Sequence, residues 1–401
     1  MKILQMARWF FPHQGGGTIR TYQTAKNLVK LGNEVHLLVH HPKSTPHVTL
    51  EEEVKKYEEV DGIHVYRLPY IGPNYLYYSI VIPLMAFYAI RIIMKNKIDV
   101  ILSHNPPYLV GMASWIASRV TGVPMIINVH DLWGASHYSK FELKFGLVLE
   151  KFCCKRAKKI IIASKENIDI LFERVKISKE GITVIPNSVD TDEFKPMSKD
   201  LRIMNKYDIP SNKPIIFFVG NLAPWIGIKY LIEAVPYILK KHIVHVVVVG
   251  GGIELPKLKT RSKELKIDKN ITFTGVVPYN TLPKLMNLAD VCVSTFPNRS
   301  AGMSPHNCKE YMACGKAVVA TDAIGFREFV IDGETGILVL PEDPAAMADG
   351  VIKLLENDEL RTELGINARK FVEKHFNWEK NIGILDKLLK GELNSKRRCF
   401  S

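Results

Sequence analysis

Cysteine is scarce in this chain of 401 residues, and its spacing matches neither a metal site nor a set of disulfides. Six cysteines occur, of which only Cys153 and Cys154 are adjacent, and no CxxC or CxxH spacing is found. This pattern argues against a zinc site and a disulfide framework, and it favours a reducing cytosol. The sequence also has no carboxylate cluster of the kind that binds a metal ion. We therefore expect a cytoplasmic protein without a metal or an organic cofactor.

The N-terminus has no signal-peptide pattern, because Gln5 and Arg8 interrupt the apolar run MKILQMARWFF. A longer apolar segment, Tyr75 to Met94, loses its uncharged character at Arg91 and contains Pro83, so it is slightly short for a membrane span. Two interpretations remain open for it. The first, which we favour, is a helix buried in the core. The second is a monotopic helix whose aromatic face rests among lipid headgroups. The two are compatible if one face of the helix is buried and the other meets the lipid.

Acidic residues are outnumbered: 54 Lys and Arg stand against 41 Asp and Glu, for a net charge of +13. Such a balance favours anionic partners, namely nucleotide phosphates, an acidic membrane surface or nucleic acid. The chain has no recognisable DNA- or RNA-binding signature, so we expect no nucleic acid partner. Its length is too great for one ordinary domain and sufficient for two.

The first residues predict a β-α-β unit with glycines at its turn. A strand, Lys2 to Met6, is followed by Gly15, Gly16 and Gly17, a helix from Thr18 to Leu31, and the strand EVHLLV. Glycines at that turn allow the backbone to approach a ligand, although a flexible surface turn would use them as well. The pattern is not GxGxxG with a downstream ribose acid, so a nicotinamide site is unsupported.

Residues 296–330 carry the densest motif of the chain. The strand DVCVS leads into a polar loop, and Ser304 and Pro305 suit the N-cap and first position of a helix that Gly315 ends. In parallel sheets the ligand lies beyond the strand ends, against such a helix N-terminus. Glu310, placed about two turns into the helix, can accept hydrogen bonds from a ribose diol. On the helix alone, a local cap or salt bridge is the favoured interpretation of this carboxylate.

His130 and Asp131 stand just past the predicted strand PMIINV, on the ligand side of a parallel sheet. A lone histidine is usually structural, but one at the carboxyl edge of a strand is a better candidate for a site. The basic cluster from Lys151 to Lys159 is interpreted as a solvated face.

Three segments, EYMACGKAVVATD, GFRE and DGETGILV, are similar to the C-terminal half of the retaining glycosyltransferases of family 4. The resemblance extends over nearly the whole chain, including ITVIPNSVD at the expected hinge. It implies an α/β fold of the GT-B type, with two Rossmann-like doubly wound domains facing a cleft. The domains are expected at residues 1–190 (acceptor side) and 197–375 (nucleotide sugar), with a helix in 376–401 that crosses back to the first domain before a mobile basic tail.

The resemblance also implies roles for individual residues. His130 is expected near the transferred sugar, and Glu310 on the donor ribose, as the two catalytic residues. The loop of Gly16 and Gly17 lies against the donor diphosphate in the family. Further donor-binding candidates are Asn221, Lys229, Val277, Ser304, His306 and Asn307, and the acceptor-side candidates are Arg20 and Asp131.

Three charges of the family pattern are absent. The Arg and Lys that stabilise the leaving diphosphate are replaced by Asn221 and Ile226, and the first of two glutamates by Gly302. Asn307 stands where the family often has Lys. Substitutes for the missing charge could come from four nearby residues and the backbone N–H groups of the helix that begins near Ser304. The four are Lys229, Arg299, His306 and Lys309.

The resulting hypothesis is a metal-independent glycosyltransferase that moves a sugar, hexosyl or N-acetylhexosaminyl, from a nucleoside-diphosphate sugar to an acceptor hydroxyl with retention. A glycan or lipid-linked acceptor, as in polysaccharide biosynthesis, and peripheral contact with the cytoplasmic membrane face fit the basic charge and the apolar helix. Two alternatives remain: a sugar-nucleotide epimerase on the same fold, and a non-catalytic nucleotide-sugar-binding subunit.

Overall fold

Fourteen strands and thirteen α-helices make up the computed structural model, which describes residues 1–13, 15–44, 54–70, 77–106, 108–133, 140–298 and 304–398. The predicted Gly302 and Arg299 positions, and residues 75 and 76 of the apolar segment, lie outside these ranges. The chain divides into unit 1, Met1–Pro186 with Trp378–Ser401, and unit 2, Asn187–Asn377.

Unit 1 is built on an eight-stranded sheet. Its strands are β1 (Lys2–Ala7), β2 (Glu34–Val39), β3 (Tyr57–Val60), β4 (Ile63–Arg67), β5 (Val100–Asn105), β6 (Met125–Val129), β7 (Lys159–Ile162) and β8 (Ile182–Val184). Its first five helices are α1 (Gly16–Lys30), α2 (Tyr77–Asn96), α3 (Tyr108–Thr121), α4 (Lys140–Arg156) and α5 (Asn167–Val175). The strand order is β3-β4-β2-β1-β5-β6-β7-β8, parallel except for β3.

Strand β3 was not predicted by the sequence analysis, which interpreted the polar and charged residues 42–61 as a solvated excursion. Tyr57–Val60 pairs antiparallel with β4 at the edge of the sheet. Its side chains alternate between exposed and half-buried because an edge strand has one covered face at most. Its two central residues, Glu58 and Glu59, are charged, so a search for apolar runs does not detect this strand.

Unit 2 repeats the doubly wound plan with six parallel strands. They are β9 (Ile215–Val219), β10 (His245–Val249), β11 (Ile271–Gly275), β12 (Val291–Ser294), β13 (Val318–Thr321) and β14 (Ile337–Val339), in the order β11-β10-β9-β12-β13-β14. The helices are α6 (Leu201–Lys206), α7 (Ile228–Leu239), α8 (Leu255–Glu264), α9 (Leu282–Met286), α10 (His306–Ala313), α11 (Pro344–Glu356) and α12 (Asp358–His375).

The strands of unit 2 are buried on both faces because helices cover both sides of the sheet. Successive side chains of β9 therefore enter different cores: Phe217 packs with Tyr311 of α10, and Phe218 packs with the apolar side of α7. The strand order reverses beside β9 in unit 2 and beside β1 in unit 1. In doubly wound sheets the carboxyl ends of the strands at that reversal are where ligands bind.

The last helix, α13 (Trp378–Arg398), belongs to unit 1. Trp378, Ile382 and Leu385 join the core under β1 and β2, and Asp386 accepts a hydrogen bond of 2.9 Å from the amide of Asn33. The helix continues through Arg398, so most of the tail that was predicted to be mobile is helical.

Helix α2 has a buried side formed by apolar residues that include Met85, Ala89 and Ile93. That face agrees with the favoured interpretation of the segment as a core helix. Its other side is exposed at Ile80 and Phe87. Among the described residues, no helix combines the length and the apolar character that crossing a membrane requires.

Candidate functional site

The beginning of α10 is fixed to the carboxyl end of β9, at the reversal of strand order in unit 2. The Asn307 amide donates to the carbonyl of Val219 at 2.8 Å, and the Tyr311 hydroxyl accepts from the Val219 N–H at 2.7 Å. These two side chains lie one helical turn apart, so they set both the position and the rotation of the helix. Asn307, predicted to bind the donor, thus also anchors the helix N-terminus, whose N–H groups and partial positive charge favour anions.

Glu310 is the fifth residue of α10, nearer its start than the two turns expected, and only 4% of it is exposed. The Tyr279 hydroxyl donates to one of its carboxyl oxygens at 2.9 Å. Burial raises the pKa of Glu310 to about 7, with a smaller contribution from the charge of Glu193, while the Tyr279 hydrogen bond opposes the rise. Further hydrogen-bond donors stabilise the ionised form of such a carboxyl group, and a ribose diol supplies two of them.

Three loops close tightly at the carboxyl edge of this sheet. The N–H of Gly220 binds the carbonyl of Val249, that of Leu222 binds Gly251, and that of Gly250 binds Gly275. Gly250 has φ +127°, and a Cβ there would stand 2.0 Å from the carbonyl oxygen of Gly220. The backbone therefore approaches as closely as glycine permits.

Val277 follows these loops and is 5% exposed, with its side chain in the core. Only its backbone remains for the donor contact that the sequence analysis predicts for it. Its neighbour Val276 is 64% exposed.

The candidate substitutes for the missing diphosphate charges are not all brought to α10. Lys309 is fully buried: its ammonium donates to the hydroxyl of Ser304 at 2.9 Å and lies 3.9 Å from the ring centroid of Phe329. The proposal of Lys309 as a diphosphate ligand is therefore wrong, because the side chain is enclosed beneath the start of the helix. Asn187 donates to the carbonyl of Ser304 at 2.6 Å and fixes the same segment.

Ser304 was predicted to be the N-cap of this helix, with Pro305 as its first residue. In the structure Pro305 is the N-cap, and α10 begins at His306, which is half-buried. The Ser304 hydroxyl accepts from Lys309 instead of capping the helix. The hydroxyl pairs with the buried Lys309 ammonium and not with a backbone N–H of the helix, because a hydrogen bond to a charged group is stronger than one between neutral groups.

Asn221 and Lys229 are both exposed. The Lys229 ammonium lies 4.7 Å from the ring centroid of Tyr230, whose hydroxyl donates to Glu342 at 3.0 Å. Neither of these contacts involves α10. Ile226 is half-buried, and its carbonyl accepts from the hydroxyl of Thr295 at 3.0 Å.

In unit 1 the candidate residues gather where β5 and β6 end. His130 follows β6, and its Nε2 lies 2.8 Å from Nδ1 of His104, the penultimate residue of β5. A Cβ on Gly17 would lie 4.0 Å from Nδ1 of His130, so the glycine turn borders this imidazole. His104 was missed by the sequence analysis; the signal was its place at the carboxyl end of the neighbouring strand.

Arg20, which was predicted on the acceptor side, lies in the core of unit 1. It is 2% exposed, and its guanidinium donates to the side chain of Asn128 and to the carbonyl of Ile185, each at 2.9 Å. Burial lowers the pKa of Arg20 to about 10, while the charge of Asp131 opposes that shift. Arg20 therefore stays protonated at neutral pH. Its guanidinium places a positive charge in the core, close to His130 and Asp131.

Within the ranges that the structure describes, no three or more His, Cys, Asp or Glu side chains are grouped as metal ligands.

Two family models match the chain. Residues 14–193 match Glycosyltransferase Family 4, and residues 200–371 match Glycosyl transferases group 1. The chain belongs to the group 1 glycosyltransferases of family 4.

Relatives of this family 4 glycosyltransferase include an uncharacterized glycosyltransferase of Methanocaldococcus jannaschii, 26% identical over 98% of this chain and 99% of the relative. A D-inositol 3-phosphate glycosyltransferase of Corynebacterium jeikeium is 29% identical over 72% of this chain and 71% of its own length.

Solved structures share the fold at lower identity. Sucrose-phosphate synthase from Thermosynechococcus elongatus has a TM-score of 0.82 at 23% identity, covering 98% of this chain and 99% of that one. Anabaena HepE, solved with UDP and glucose, has a TM-score of 0.75 at 21% identity, covering 97% and 99%. The two-domain α/β fold of the GT-B glycosyltransferases is thereby confirmed.

Proposed function

We propose that this group 1 glycosyltransferase transfers a sugar from a nucleoside-diphosphate sugar to an acceptor hydroxyl, with retention and without a metal ion. The observation that carries the proposal is the placement of Glu310. Its buried carboxyl, bound by Tyr279, stands on a helix whose start is locked to the end of β9. A ribose diol fits that carboxyl, and the helix N-terminus suits the diphosphate.

In the proposed reaction, the bond between the sugar C1 and the β-phosphate oxygen breaks while C1 bonds to the acceptor oxygen. The acceptor proton passes to the departing phosphate, which lies on the same face of the sugar, so configuration is retained. Asn307 and the N–H groups of α10 would stabilise the phosphate charge as it develops. His130, beside the glycine turn, would hold a sugar or acceptor oxygen.

Thermal stabilisation of the purified protein by a panel of nucleotide sugars tests donor binding, and NMR of the product tests the reaction. We expect stabilisation by UDP-glucose or a related donor, as HepE was solved with UDP-glucose, and a new α-glycoside from an α-linked donor. A β-glycoside would disprove retention. An inverted free donor would identify the epimerase instead, and stabilisation by no nucleotide sugar would contradict the proposal.

A non-catalytic subunit is the second candidate, because Asn221 and Ile226 replace the two basic residues and Lys309 is enclosed. Asn221 is exposed and can be replaced without disturbing a core. We expect Asn221→Arg to tighten UDP binding about fivefold or more at low salt, since a guanidinium pairs with phosphate, and the gain should shrink as salt rises. Asn205→Arg, an equally exposed change on α6, is the matched control for calorimetric titration.

Equal effects of the two arginines would mean that Asn221 lies away from the phosphates. Transfer activity that appears only in Asn221→Arg, and is absent from the wild type with every donor, would favour the non-catalytic subunit.

We also propose that the acceptor is lipid-linked or lies near a membrane, and that unit 1 contacts an anionic bilayer. Helices α2, α3 and α4 are neighbours in unit 1, with α3 packed against both of the others. Their outward side chains, here called the outer surface, are apolar and basic. They are Ile80, Phe87, Arg91, Met94, Trp115, Val120, Phe145, Val148, Lys151, Phe152, Lys155 and Arg156.

The outer surface mixes the two properties that interfacial binding needs. Met94, Val120 and Val148 are each at least 65% exposed, which is costly in water. Cations lie over its aromatic rings: Arg156 is 3.6 Å from the ring centroid of Phe152. Rings and basic groups held together in this way match the apolar and anionic layers of a headgroup region.

Lipid vesicles test this contact. Lys151→Glu with Lys155→Glu is expected to lower cosedimentation with phosphatidylserine-containing vesicles at least tenfold, because each basic group near the surface contributes about 1 kcal/mol. Phe87→Ser with Val148→Ser should lower it as well. Lys257→Glu and Ile243→Ser, at exposed positions of unit 2, are the controls. Unchanged sedimentation of both double variants, or wild-type binding to neutral vesicles alone, would exclude the outer surface as the anionic contact.

A further inference from the structure

The imidazole rings of His104 and His130 are in direct hydrogen-bonding contact. The two rings meet edge to face, with centroids 5.0 Å apart and Nδ1 of His104 2.8 Å from Nε2 of His130. The backbone N–H of His130 also donates to the carbonyl of Asn105 at 2.7 Å. Both the backbone and the ring of His130 are therefore held by the end of β5.

One of the two rings stays neutral. His104 is 2% exposed, and burial together with the charge of Arg20 lowers its pKa to about 3. A neutral imidazole carries a single N–H, so the short contact has a direction: one ring donates and the other accepts. Which ring donates decides where His130 keeps its own proton.

The second nitrogen of His104 decides between the two directions. Its Nε2 is buried and has no hydrogen-bond partner among the described residues. If Nε2 carried the proton, a buried N–H would be left unsatisfied beside the nearby Arg20 cation. If Nδ1 carries it, only a lone pair is left, which costs less, and the N–H is used on His130.

We propose that His104 is a positioning residue that donates its Nδ1–H to Nε2 of His130, so that neutral His130 carries its proton on Nδ1, the nitrogen that borders the Gly15–Gly17 turn. His130 then meets a sugar or acceptor oxygen as a hydrogen-bond donor and not as a base. This last step rests on the proposed function, in which the donor phosphate takes the acceptor proton.

Protonation of His130 is disfavoured in this arrangement, because a second N–H on Nε2 would point at the Nδ1–H of His104. Among the described residues, two charged groups lie near the pair: Arg20 from α1, which disfavours an added proton, and Asp131, the residue after His130, which favours one. Arg20 and Asp131 interact with each other and so largely offset. The expected result is a His130 that stays neutral and keeps the same tautomer from pH 6 to 8.

Nitrogen-15 NMR of the ligand-free protein reads the tautomer directly, with His130→Gln identifying the signals. We expect a protonated Nδ1 and an unprotonated Nε2 on His130 across that pH range. A protonated Nε2 with a bare Nδ1, or ordinary titration of both nitrogens, would overturn the proposal. This measurement needs no substrate, so its outcome is separate from that of the transfer reaction.

Two variants test the role of His104. His104→Phe removes the donor at similar size, and we expect mixed His130 tautomers and a kcat at least tenfold lower, with the KM for the donor little changed. His104→Gln retains an amide N–H donor and should restore part of the kcat and the single tautomer. His245→Gln, at another buried histidine in unit 2, is the control and should leave the His130 signals unchanged. Should His104→Phe not fold, the wild-type tautomer alone decides.

Discussion

Glu310→Gln is expected to weaken binding of the nucleoside-diphosphate sugar about tenfold to a hundredfold while the protein stays folded. A charge-assisted hydrogen bond contributes about 1.5–3 kcal/mol, and a neutral amide loses most of that with a ribose diol. The amide has the shape of the carboxyl group and can still accept from Tyr279. Calorimetric titration with UDP or a UDP-sugar measures the effect, and Glu356→Gln, on the exposed side of α11, is the control.

The same carboxyl makes donor binding depend on pH. Its pKa of about 7 means that half of the free protein is protonated there, and ribose hydroxyls bind the ionised form better. Donor affinity should therefore fall as pH decreases below 7, approaching tenfold per pH unit, and this slope should vanish in Glu310→Gln. An unchanged affinity in the variant, or a slope that persists, would show that Glu310 does not hold the donor.

Stability should change in the opposite direction. Folding raises the pKa of Glu310 from 4.5 to about 7, so the folded state holds the proton more tightly than the unfolded chain. That stabilisation is complete below pH 4.5 and is lost as pH rises through 7, at a cost of up to about 3 kcal/mol. Urea unfolding at pH 8 should find Glu310→Gln more stable than the wild type, and at pH 5 nearly equal to it.

Gly250→Ala is expected to destabilise unit 2 by roughly 3–5 kcal/mol. A side chain at this positive φ costs about 1–2 kcal/mol, and the Cβ would overlap the Gly220 carbonyl, which the sheet holds in place. Gly275→Ala separates the two causes. Gly275 has φ +73° with nothing within 4 Å of a Cβ, so only the conformational cost of about 1 kcal/mol applies.

Denaturant unfolding compares these two variants. A loss of similar size in both would mean that the close approach of the loops after β9 and β10 contributes little. Donor binding should also suffer more in Gly250→Ala, because its loop lies at the carboxyl edge on which α10 is placed.

The pattern of apolar residues, together with glycines at turns and helix ends, was enough to predict most of the fold. Buried parallel strands such as EVHLLV appear as continuous apolar runs because helices cover both faces of their sheet. The edge strand β3 has no such cover, and its charged residues concealed it. The boundary between the units, at Pro186 and Asn187, lies inside the segment ITVIPNSVD, where the sequence analysis expected the hinge.

The site was predicted only in part, since several roles depend on partners distant in sequence. Glu310 and His130 were proposed from their positions after strands together with the family resemblance, but their partners Tyr279 and His104 are 31 and 26 residues away. Lys309 was misjudged because its sequence position beside Glu310 suggests access to the same ligand. On a helix, adjacent residues point about 100° apart, and Lys309 faces the aromatic core.

The return of α13 to unit 1 has a consequence for how the chain is made. The ribosome completes unit 2 before it releases Trp378, Ile382, Leu385 and Leu389, which fill the unit 1 core beneath β1 and β2. The first half of the nascent chain must therefore wait with an open apolar groove until the final helix emerges. At an elongation rate of about 5–20 residues per second, the wait lasts on the order of ten seconds or more. During that interval the first half exposes apolar surface that chaperones bind, and a ribosome stalled before the codons of α13 would leave the unit 1 core incomplete.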